Sequence, residues 1–491
     1  MYKKAIQEAI LDNELPSKWS KDLLKEAKRV AKKKQNTKFR KDLRGLPFIT
    51  IDGEDAKDFD DAVYCAKDFE NFKLYIAIAD VSFYVEPNSK LDKEAKKRGT
   101  SVYFPKKVIP MLPENLSNGI CSLKPNEDRC SIICEMLIGR DGKKKKFKFY
   151  SGLINSKARL TYLEVENFLS KKQKINQLGV KDSINQLKTL TKLRLMLRKK
   201  RKALEIDSKE SILTLNRNKD VKNITLKKTL FAHKLIEESM LLANESAAEF
   251  MSKKLDFGVF RIHENPDPSK LEALKMHFDV PIKNTNKLLP LNLVNSYLNH
   301  ALNKKDSIGQ ILVLQALARA EYSIDNLGHF GLQLKQYTHF TSPIRRYPDL
   351  LVHRLITSSL LKEKIIISKD ELQDECKNSS KLERRAEKAS RQVEQVLICS
   401  YLQAKIGEIF DGTVSGVTDF GLFINLESYT ISGLLHVSDL PNDRYKFLYE
   451  SNVLKGIKRG TSYRLGQKIR VQIAAIFPLE RKITLTMANG K

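Results

Sequence analysis

Cysteine is scarce in this chain: six residues in 491, Cys65, Cys121, Cys130, Cys134, Cys376 and Cys399. None belongs to a paired C-x-x-C frame, and several sit inside apolar runs such as CSIICEMLI. A disulfide scaffold and a cysteine zinc site are thereby excluded, and buried free thiols are expected. Long hydrophobic runs are missing too, with nothing approaching the ~18 consecutive apolar residues of a membrane span. The opening MYKKAIQEAILDNE carries acidic residues where a signal peptide keeps its apolar run, so a soluble, cytoplasmic protein with no membrane partner is expected. Internal repeats and long low-complexity segments are also absent. Acidic side chains are in deficit: 59 Asp+Glu face 88 Lys+Arg, a formal net charge of +29. An excess of this size predicts salt-sensitive attraction to polyphosphates. Nucleic acid fits better than an anionic membrane, because no basic amphipathic helix stands beside an apolar anchor.

What is present is a core-forming chain, 41% hydrophobic and long enough for about two to four domains. Residues 1–45 read as helix with a lysine-rich second half anchored by Trp19, Leu23 and Leu24, a lead-in to a domain. From Leu46 the texture turns to strands, LPFITID, KLYIAIADVSFYV, SIICEMLIG and KFKFYSGLI, bounded by Gly, Pro, Asp or Asn. A basic helix follows at about 180–205, then a hairpin in SILTLNRNKDVKNITLKK. The stripe Ile236, Met240, Ala243, Ala247 and Phe250 marks a long core-packed helix. Further helices are expected at 268–278, 308–322, 346–362 and 369–404. After Lys405 five short strands with Gly at the bends suit a small closed OB-type barrel. The fold class is α+β, divided into 1–45, 46–404 and 405–491.

The sharpest chemical signal is ITIDGEDAKDFDDAVY, in which Asp52, Asp58, Asp60 and Asp61 crowd a strand-to-loop segment with Glu54 and Asp55 between them. Such crowding is repulsive unless cations neutralise it, and magnesium, with manganese as substitute, suits an all-oxygen set better than zinc. An EF-hand does not fit, since Lys57 stands where the loop's Gly belongs. A solvated acidic turn is the plain alternative. Two metals clamping attacking and leaving oxygens are the usual device for phosphodiester hydrolysis.

The second signal is HFTSPIRRYPDLLVHRLI. Ser342 and Pro343 read as a helix cap and first turn, with a helix from Ile344 that Pro348 resets or kinks. Arg345 and Arg346 then lie at a helix N-terminus, a phosphate-binding arrangement, unless either is a structural partner of Asp349. His339 and His353, which flank the segment, are read as satisfying local hydrogen bonds. In RGTSVYFPKKVIPMLPENLSNGICSL, Tyr103 is the candidate platform for stacking a base and Phe104 the core residue. Phe420, Phe423 and His436 occupy the barrel segments from which an OB fold presents rings to nucleotides, with one of the two phenylalanines an alternative core residue.

Together with HKLIEESMLLAN and the C-terminal barrel, these segments resemble the ribonuclease II / ribonuclease R family of exoribonucleases, and the GED and VIPMLP wording its ribonuclease R branch. The resemblance runs from about residue 46 to the end. It implies a magnesium-dependent, processive hydrolase that enters single-stranded RNA at its 3′ end and releases nucleoside 5′-monophosphates in RNA turnover. It implies a catalytic RNB-type domain followed by an S1-type barrel, in a monomer with RNA-decay or ribosome-associated partners. Asp52, Asp58, Asp60 and Asp61 match the family's metal-holding aspartates, Arg345 the arginine at the scissile phosphate, and Tyr103 the aromatic at the 3′ end; Arg346 is a further RNA contact. Acidic helix residues near the terminal nucleotide fall on Glu237 or Glu238 and within LERRAEK. Family members of this type carry two cold-shock-type OB domains ahead of the catalytic domain, for which residues 1–45 are too short. The basic segment Lys18–Arg44 is expected to substitute electrostatically, and the lysine-rich tail of some relatives is missing. A catalytically silent RNA clamp and a phosphoesterase acting on DNA or small nucleotides are the competing readings.

Overall fold

The computed structural model describes residues 1–33, 39–205, 211–278, 290–304, 306–426, 428–429, 431–441, 443–449 and 452–488. The helix expected across 1–45 is two helices, α1 (Tyr2–Asp12) and α2 (Lys21–Ala31). Between them Pro16 cannot continue a helix, and Ser20 restarts one by accepting the Leu23 N–H at 3.3 Å. Lys34–Lys38 of the expected basic segment lie outside the described residues. The chain then enters the main sheet with β1 (Lys41–Asp42), β2 (Ile49–Asp52), β3 (Asp61–Asp68) and β4 (Asn71–Ala79). Short helices α3 (Val81–Tyr84) and α4 (Lys90–Arg98) lead to a hairpin, β5 (Val102–Phe104) and β6 (Lys107–Ile109). β7 (Asp128–Ile138), β8 (Lys144–Asn155) and β9 (Ala158–Thr161) complete a seven-stranded sheet in the order β1-β8-β7-β4-β3-β2-β9. The β1–β8 and β2–β9 pairs are parallel and the others antiparallel. Central β4 is buried along almost its whole length, which is why NFKLYIAIA is apolar nearly throughout its second half.

Helices α5 (Tyr162–Leu169) and α6 (Leu178–Lys200) and the hairpin β10 (Ser211–Leu215) with β11 (Val221–Leu226) precede α7 (Phe231–Lys254), which packs on β4 while α6 packs on β3. Next come β12 (Phe260–Ile262), α8 (Pro268–Phe278), α9 (Pro290–Asn303), α10 (Ser307–Ala316) and β13 (Glu321–Ser323). The helix expected over 308–322 thus stops at Ala316, because Glu321–Ser323 pairs with β12 instead and buries Tyr322 beneath Arg261. The helix at 290–303 was not anticipated. α11 (Tyr347–Leu361) packs on β8, and α12 (Lys369–Leu402) begins with a Ser368/Glu371 capping box.

α12 touches three cores in turn: Leu372 and Cys376 the sheet core, Ala386, Ala389 and Val393 a core shared with α1 and β5, and Ile398, Cys399 and Leu402 the barrel core. In the middle core α1 buries Tyr2, Ala5, Ile6 and Ala9 against Val102, Phe104 and α12. The Tyr2 hydroxyl donates to the Pro105 carbonyl at 2.7 Å, and Asn13 Nδ2 to Gln392 Oε1 at 2.9 Å. The N-terminal helix is therefore part of the packing that holds the β5–β6 hairpin.

The C-terminal barrel closes in the order β14 (Ile409–Val417), β15 (Gly421–Leu426), β16 (Ile431–His436), then β21 (Lys482–Met487) and β20 (Lys468–Phe477). Between β16 and β20 the chain makes a separate three-stranded meander, β17 (Tyr445–Leu448), β18 (Val453–Gly456) and β19 (Ser462–Tyr463). Its strands are too short and too basic for the sequence pattern to reveal. All six cysteines are buried and free. None of the described helices is long and apolar enough to cross a membrane.

Ile6, 2% exposed, tests whether α1 belongs to the fold. Ile6→Ala should lower stability by about 2 to 5 kcal/mol, read as a lower urea midpoint; an unchanged midpoint would show α1 to be an appendage.

Candidate active site

Asp52 ends β2 and Asp61 begins β3, so the two stand at the mouth of one antiparallel hairpin with Asp58 and Asp60 in the loop between. That loop is fixed from below. Ser122 Oγ accepts the Phe59 N–H at 3.0 Å and donates to the Lys57 carbonyl at 2.8 Å, and the Leu123 N–H donates to the Phe59 carbonyl at 2.9 Å. The Asp60 carbonyl accepts the Ala79 N–H at 2.8 Å, and Arg159 Nη2 donates to the Gly53 and Glu54 carbonyls. Buried Phe59 anchors the turn. The loop separates the acids: Glu54 and Asp55 face solvent, Asp55 pairing with Lys106 at 2.6 Å, while Asp60 is 5% exposed.

The arginine segment meets this loop. Helix α11 starts at Tyr347, not at Ile344, because Ser342–Arg345 forms a turn whose Ser342 carbonyl accepts the Arg346 N–H at 2.9 Å; Pro348 sits in the first helical turn and kinks nothing. The turn lays the Ile344 N–H on Asp60 Oδ1 at 2.8 Å and brings Arg345 Nε within 3.6 Å of Asp60 Oδ2. The pairing left open for either arginine falls on Arg346, whose Nη2 donates to fully buried Asp349 at 2.7 Å. Asp349 also accepts the Ser342 N–H at 2.7 Å, so it ties the turn to α11. Arg345 keeps a side chain 46% exposed. A backbone seam then joins this turn to the β5 hairpin: the Ser101 N–H donates to the Arg345 carbonyl at 3.0 Å and the Tyr347 N–H to the Gly99 carbonyl at 2.9 Å.

Through that seam Tyr103 reaches the aspartates, its hydroxyl donating to Asp58 Oδ2 at 3.5 Å with the ring 42% exposed, while neighbouring Phe104 is buried. Tyr103, Arg345 and Arg346 line one cavity of about 350 Å³ with Glu383, Glu387 and Arg391 of α12. Within LERRAEK the cavity therefore takes Glu383 and Glu387. Glu238 is instead buried against Arg194 and Arg198, and Glu237 is held by Arg198 and Lys234. Tyr162, which the sequence did not single out, stacks on His233 with ring centroids 4.2 Å apart and feels the charges of Asp52, Asp61 and Arg345. His339 shares a 2.8 Å hydrogen bond with the Tyr322 hydroxyl, and His353 bonds the Phe340 carbonyl at 2.7 Å.

Burial dominates the electrostatics. It pushes the Asp52 carboxyl up, against the Gly53 amide and the Arg345 charge, and pushes Asp60 well above the ordinary carboxylate range. Asp61, desolvated beside Asp52, rises to about 7. Three carboxylates in this state hold protons or share a cation. In the barrel, Phe420 and Phe423 are 45% and 37% exposed, so neither is core, and their rings meet edge to face at 6.1 Å. His436 lies beside them through the Gly421–His436 pair, with Nδ1 on Ser438 Oγ at 2.8 Å.

Residues 40–362 match the RNB domain. The chain belongs to the RNB-domain family. Residues 403–487 match the S1 RNA binding domain, which the closed barrel supplies. Ribonuclease R of Escherichia coli (strain K12) is 40% identical over 469 residues, 92% of this chain and 58% of that relative, so the chain spans less than two thirds of its length. The solved structure of Mycoplasma genitalium RNase R in complex with ribose methylated single-stranded RNA superposes with a TM-score of 0.93 at 31% identity, covering 98% of this chain and 77% of that one. The same protein with double-stranded RNA gives 0.86 at 29% identity, covering 98% of this chain and 82% of that one. In the RNB domain the aspartates, Arg345 and Tyr103 form one constellation, and the rings of the S1 domain a second.

A carboxyl that titrates at about 7 when folded and near 4 when unfolded contributes stability that is full below about pH 4 and lost as pH rises through 7. In EDTA, Asp61→Asn should therefore come closest to the wild-type melting temperature near pH 4 and exceed it at pH 8; equal losses in both proteins would refute the burial cost assigned to Asp61.

Proposed function

We propose that this chain is a processive 3′-to-5′ exoribonuclease that hydrolyses single-stranded RNA to nucleoside 5′-monophosphates, with 46–404 as catalytic unit and 405–491 as RNA-binding barrel. The observation that carries this reading is the meeting of four aspartates, Arg345 and an exposed tyrosine in a chain of the RNB family. The relatives named Ribonuclease R and the RNA bound in the Mycoplasma genitalium structures support it.

Asp52, Asp58, Asp60 and Asp61 would hold magnesium, or manganese in its place. Among the described residues no three His, Cys, Asp or Glu side chains form a ready-made metal cage. The donor set still suits magnesium, which is bound through one or two carboxylates and otherwise by waters and substrate phosphate. When bound, the ion neutralises the carboxylates and lowers the pKa of a coordinated water.

The remaining work falls to side chains. Tyr103 stacks the terminal base and so sets where the phosphate lies. Arg345, held beside Asp60 but open to the cavity, donates to the scissile phosphate as negative charge builds on its oxygens. The carboxylates order the attacking water, whose proton passes to solvent as its oxygen bonds phosphorus. The P–O3′ bond breaks, the shortened strand leaves with a 3′-hydroxyl, and the water's oxygen becomes part of the 5′-monophosphate. Phe420, Phe423 and His436 hold the strand upstream, and the next 3′ nucleotide moves onto Tyr103.

The test uses 5′-labelled RNA and its DNA equivalent, with magnesium and then EDTA, resolved to single nucleotides. Magnesium-dependent shortening of RNA to a short limit product, with DNA intact, is expected. Asp60→Asn should abolish turnover and keep RNA binding; RNA that wild type binds without shortening would transfer the reading to a silent clamp. Tyr103→Ala should forfeit about 1 to 3 kcal/mol of stacking and lengthen the limit product, whereas an unchanged product would remove Tyr103 from the 3′-end site.

A further inference from the structure

The three-stranded meander β17–β19 has no part in closing the barrel, yet it concentrates charge of one sign. Tyr445, Phe447 and Leu454 pack its inner face on the barrel core. By alternation, Lys446, Lys455 and Ser462 share the outer face. Lys446 and Lys455 are directly opposed across the two strands, and both are exposed. Like charges so placed repel, and a sheet serving only stability would set an acid against one of them. Arg444, Lys458, Arg459 and Arg464 add four exposed cations. Among the described residues none of these six makes an ion pair, whereas lysines and arginines elsewhere in the chain commonly do, such as Lys96 with Glu375 and Arg261 with Glu383.

The basic turn is also fixed in place. Asp443 accepts the backbone N–H groups of Arg444 at 2.8 Å, Lys458 at 2.9 Å and Arg459 at 2.7 Å. Its carboxylate is thus engaged by backbone, and the Lys458 and Arg459 side chains are left to solvent on a shaped turn that Gly460, at φ +68°, completes. Tyr449, 77% exposed, stands at the hairpin tip edge to face with Phe447 at 4.8 Å. The meander is entered directly after His436 through Val437–Asp439, and the Val437 N–H bonds the Phe420 carbonyl at 2.9 Å. It therefore continues from the end of the barrel that carries the exposed rings.

We propose that the meander is a second RNA-binding surface, in which Lys446, Lys455, Lys458 and Arg459 bind the phosphates of a strand already lying on Phe420, Phe423 and His436, and Tyr449 stacks one of its bases. The choice of RNA as the polyanion rests on the function proposed above. Exposed cations that make no ion pair among the described residues, a preorganised turn and an exposed ring are the elements of a single-strand groove.

The experiment measures RNA binding by full-length protein in EDTA across a salt series, with an RNA about 30 nucleotides long and a short one that ends within the catalytic cavity. The variants are Lys446→Gln/Lys455→Gln and Lys458→Gln/Arg459→Gln. Each should weaken binding of the long RNA and reduce its salt slope by about 1.4, at roughly 0.7 per lost phosphate contact, with the short RNA unaffected. Lys446→Gln/Lys455→Gln should also melt no lower than wild type, because it relieves a repulsion. An unchanged salt slope overturns the proposal, as does an equal loss on the short RNA, or a lower melting temperature that accounts for the weaker binding. Wild-type protein that binds long RNA through these lysines but shortens none in magnesium would sink the exoribonuclease and leave this surface standing.

Discussion

Everything at the candidate site depends on keeping carboxylates crowded at the mouth of the β2–β3 hairpin, where burial and mutual repulsion both oppose their charge. The fold meets that constraint with backbone. The Ile344 N–H fixes Asp60, the Ala79 N–H fixes its carbonyl, and Ser122 and Leu123 hold the residues before it. Only then does Arg345 approach, and at 3.6 Å it balances Asp60 without closing on it. An arginine in full bidentate contact would satisfy the carboxylate and be lost to a substrate. Arg346 shows the contrast, since its pairing with Asp349 is closed and buried and serves to hold the turn.

The seam between Gly99–Ser101 and Arg345–Tyr347 carries this constraint across the molecule. It fixes the position of Tyr103 relative to Arg345 through main-chain bonds, which a change of rotamer cannot release. Behind the seam, α1 and α12 clamp the hairpin from its buried side, and the same α12 continues into the barrel core. Tyr103, Arg345 and the S1 barrel are thus referred to one helix of 34 residues.

How far the sequence disclosed this follows from where each signal is stored. Strand alternation and the aspartate spacing are local, and they placed four segments of the sheet, the five barrel strands and the four aspartates, although VSFYV, read as strand, is the helix Val81–Tyr84; Arg345 and Tyr103 joined the aspartates through the family resemblance. Four features are tertiary. Which of Arg345 and Arg346 is tied to Asp349 depends on the turn between Ser342 and Arg345, and the start of α11 depends on that same turn, which Asp349 and Asp60 hold. The helix read through 308–322 yields to a strand because β12 offers an edge. Tyr162 carries no motif and is noticed only when His233 and the aspartates surround it. The meander escaped for a different reason: its β17 and β18 alternate lysines with inward apolar residues over only four positions each, too few for a period to register.

The same distinction between free and engaged charge decides what the excess of +29 is worth. The segment Lys18–Arg44 looked like a basic arm, but Lys33 pairs with Glu86, Arg40 with buried Asp80, and Arg44 with Asp42 and Asp128. Arg40 and Asp80 lie in the packed interior, so their charges hold the first strand to α3 and are withdrawn from any ligand. A cation contributes to polyanion binding in proportion to the counterions its site gives up, and an internal carboxylate has already displaced them. Counting lysines along a sequence therefore overestimates what these three cations offer a ligand, whereas Lys18, Lys21, Lys25, Lys28, Arg29 and Lys32 of the same segment stay exposed without an ion pair among the described residues. For this chain, attraction to nucleic acid follows the cations that no carboxylate engages, on the segment ahead of the sheet as on the meander of the S1 domain.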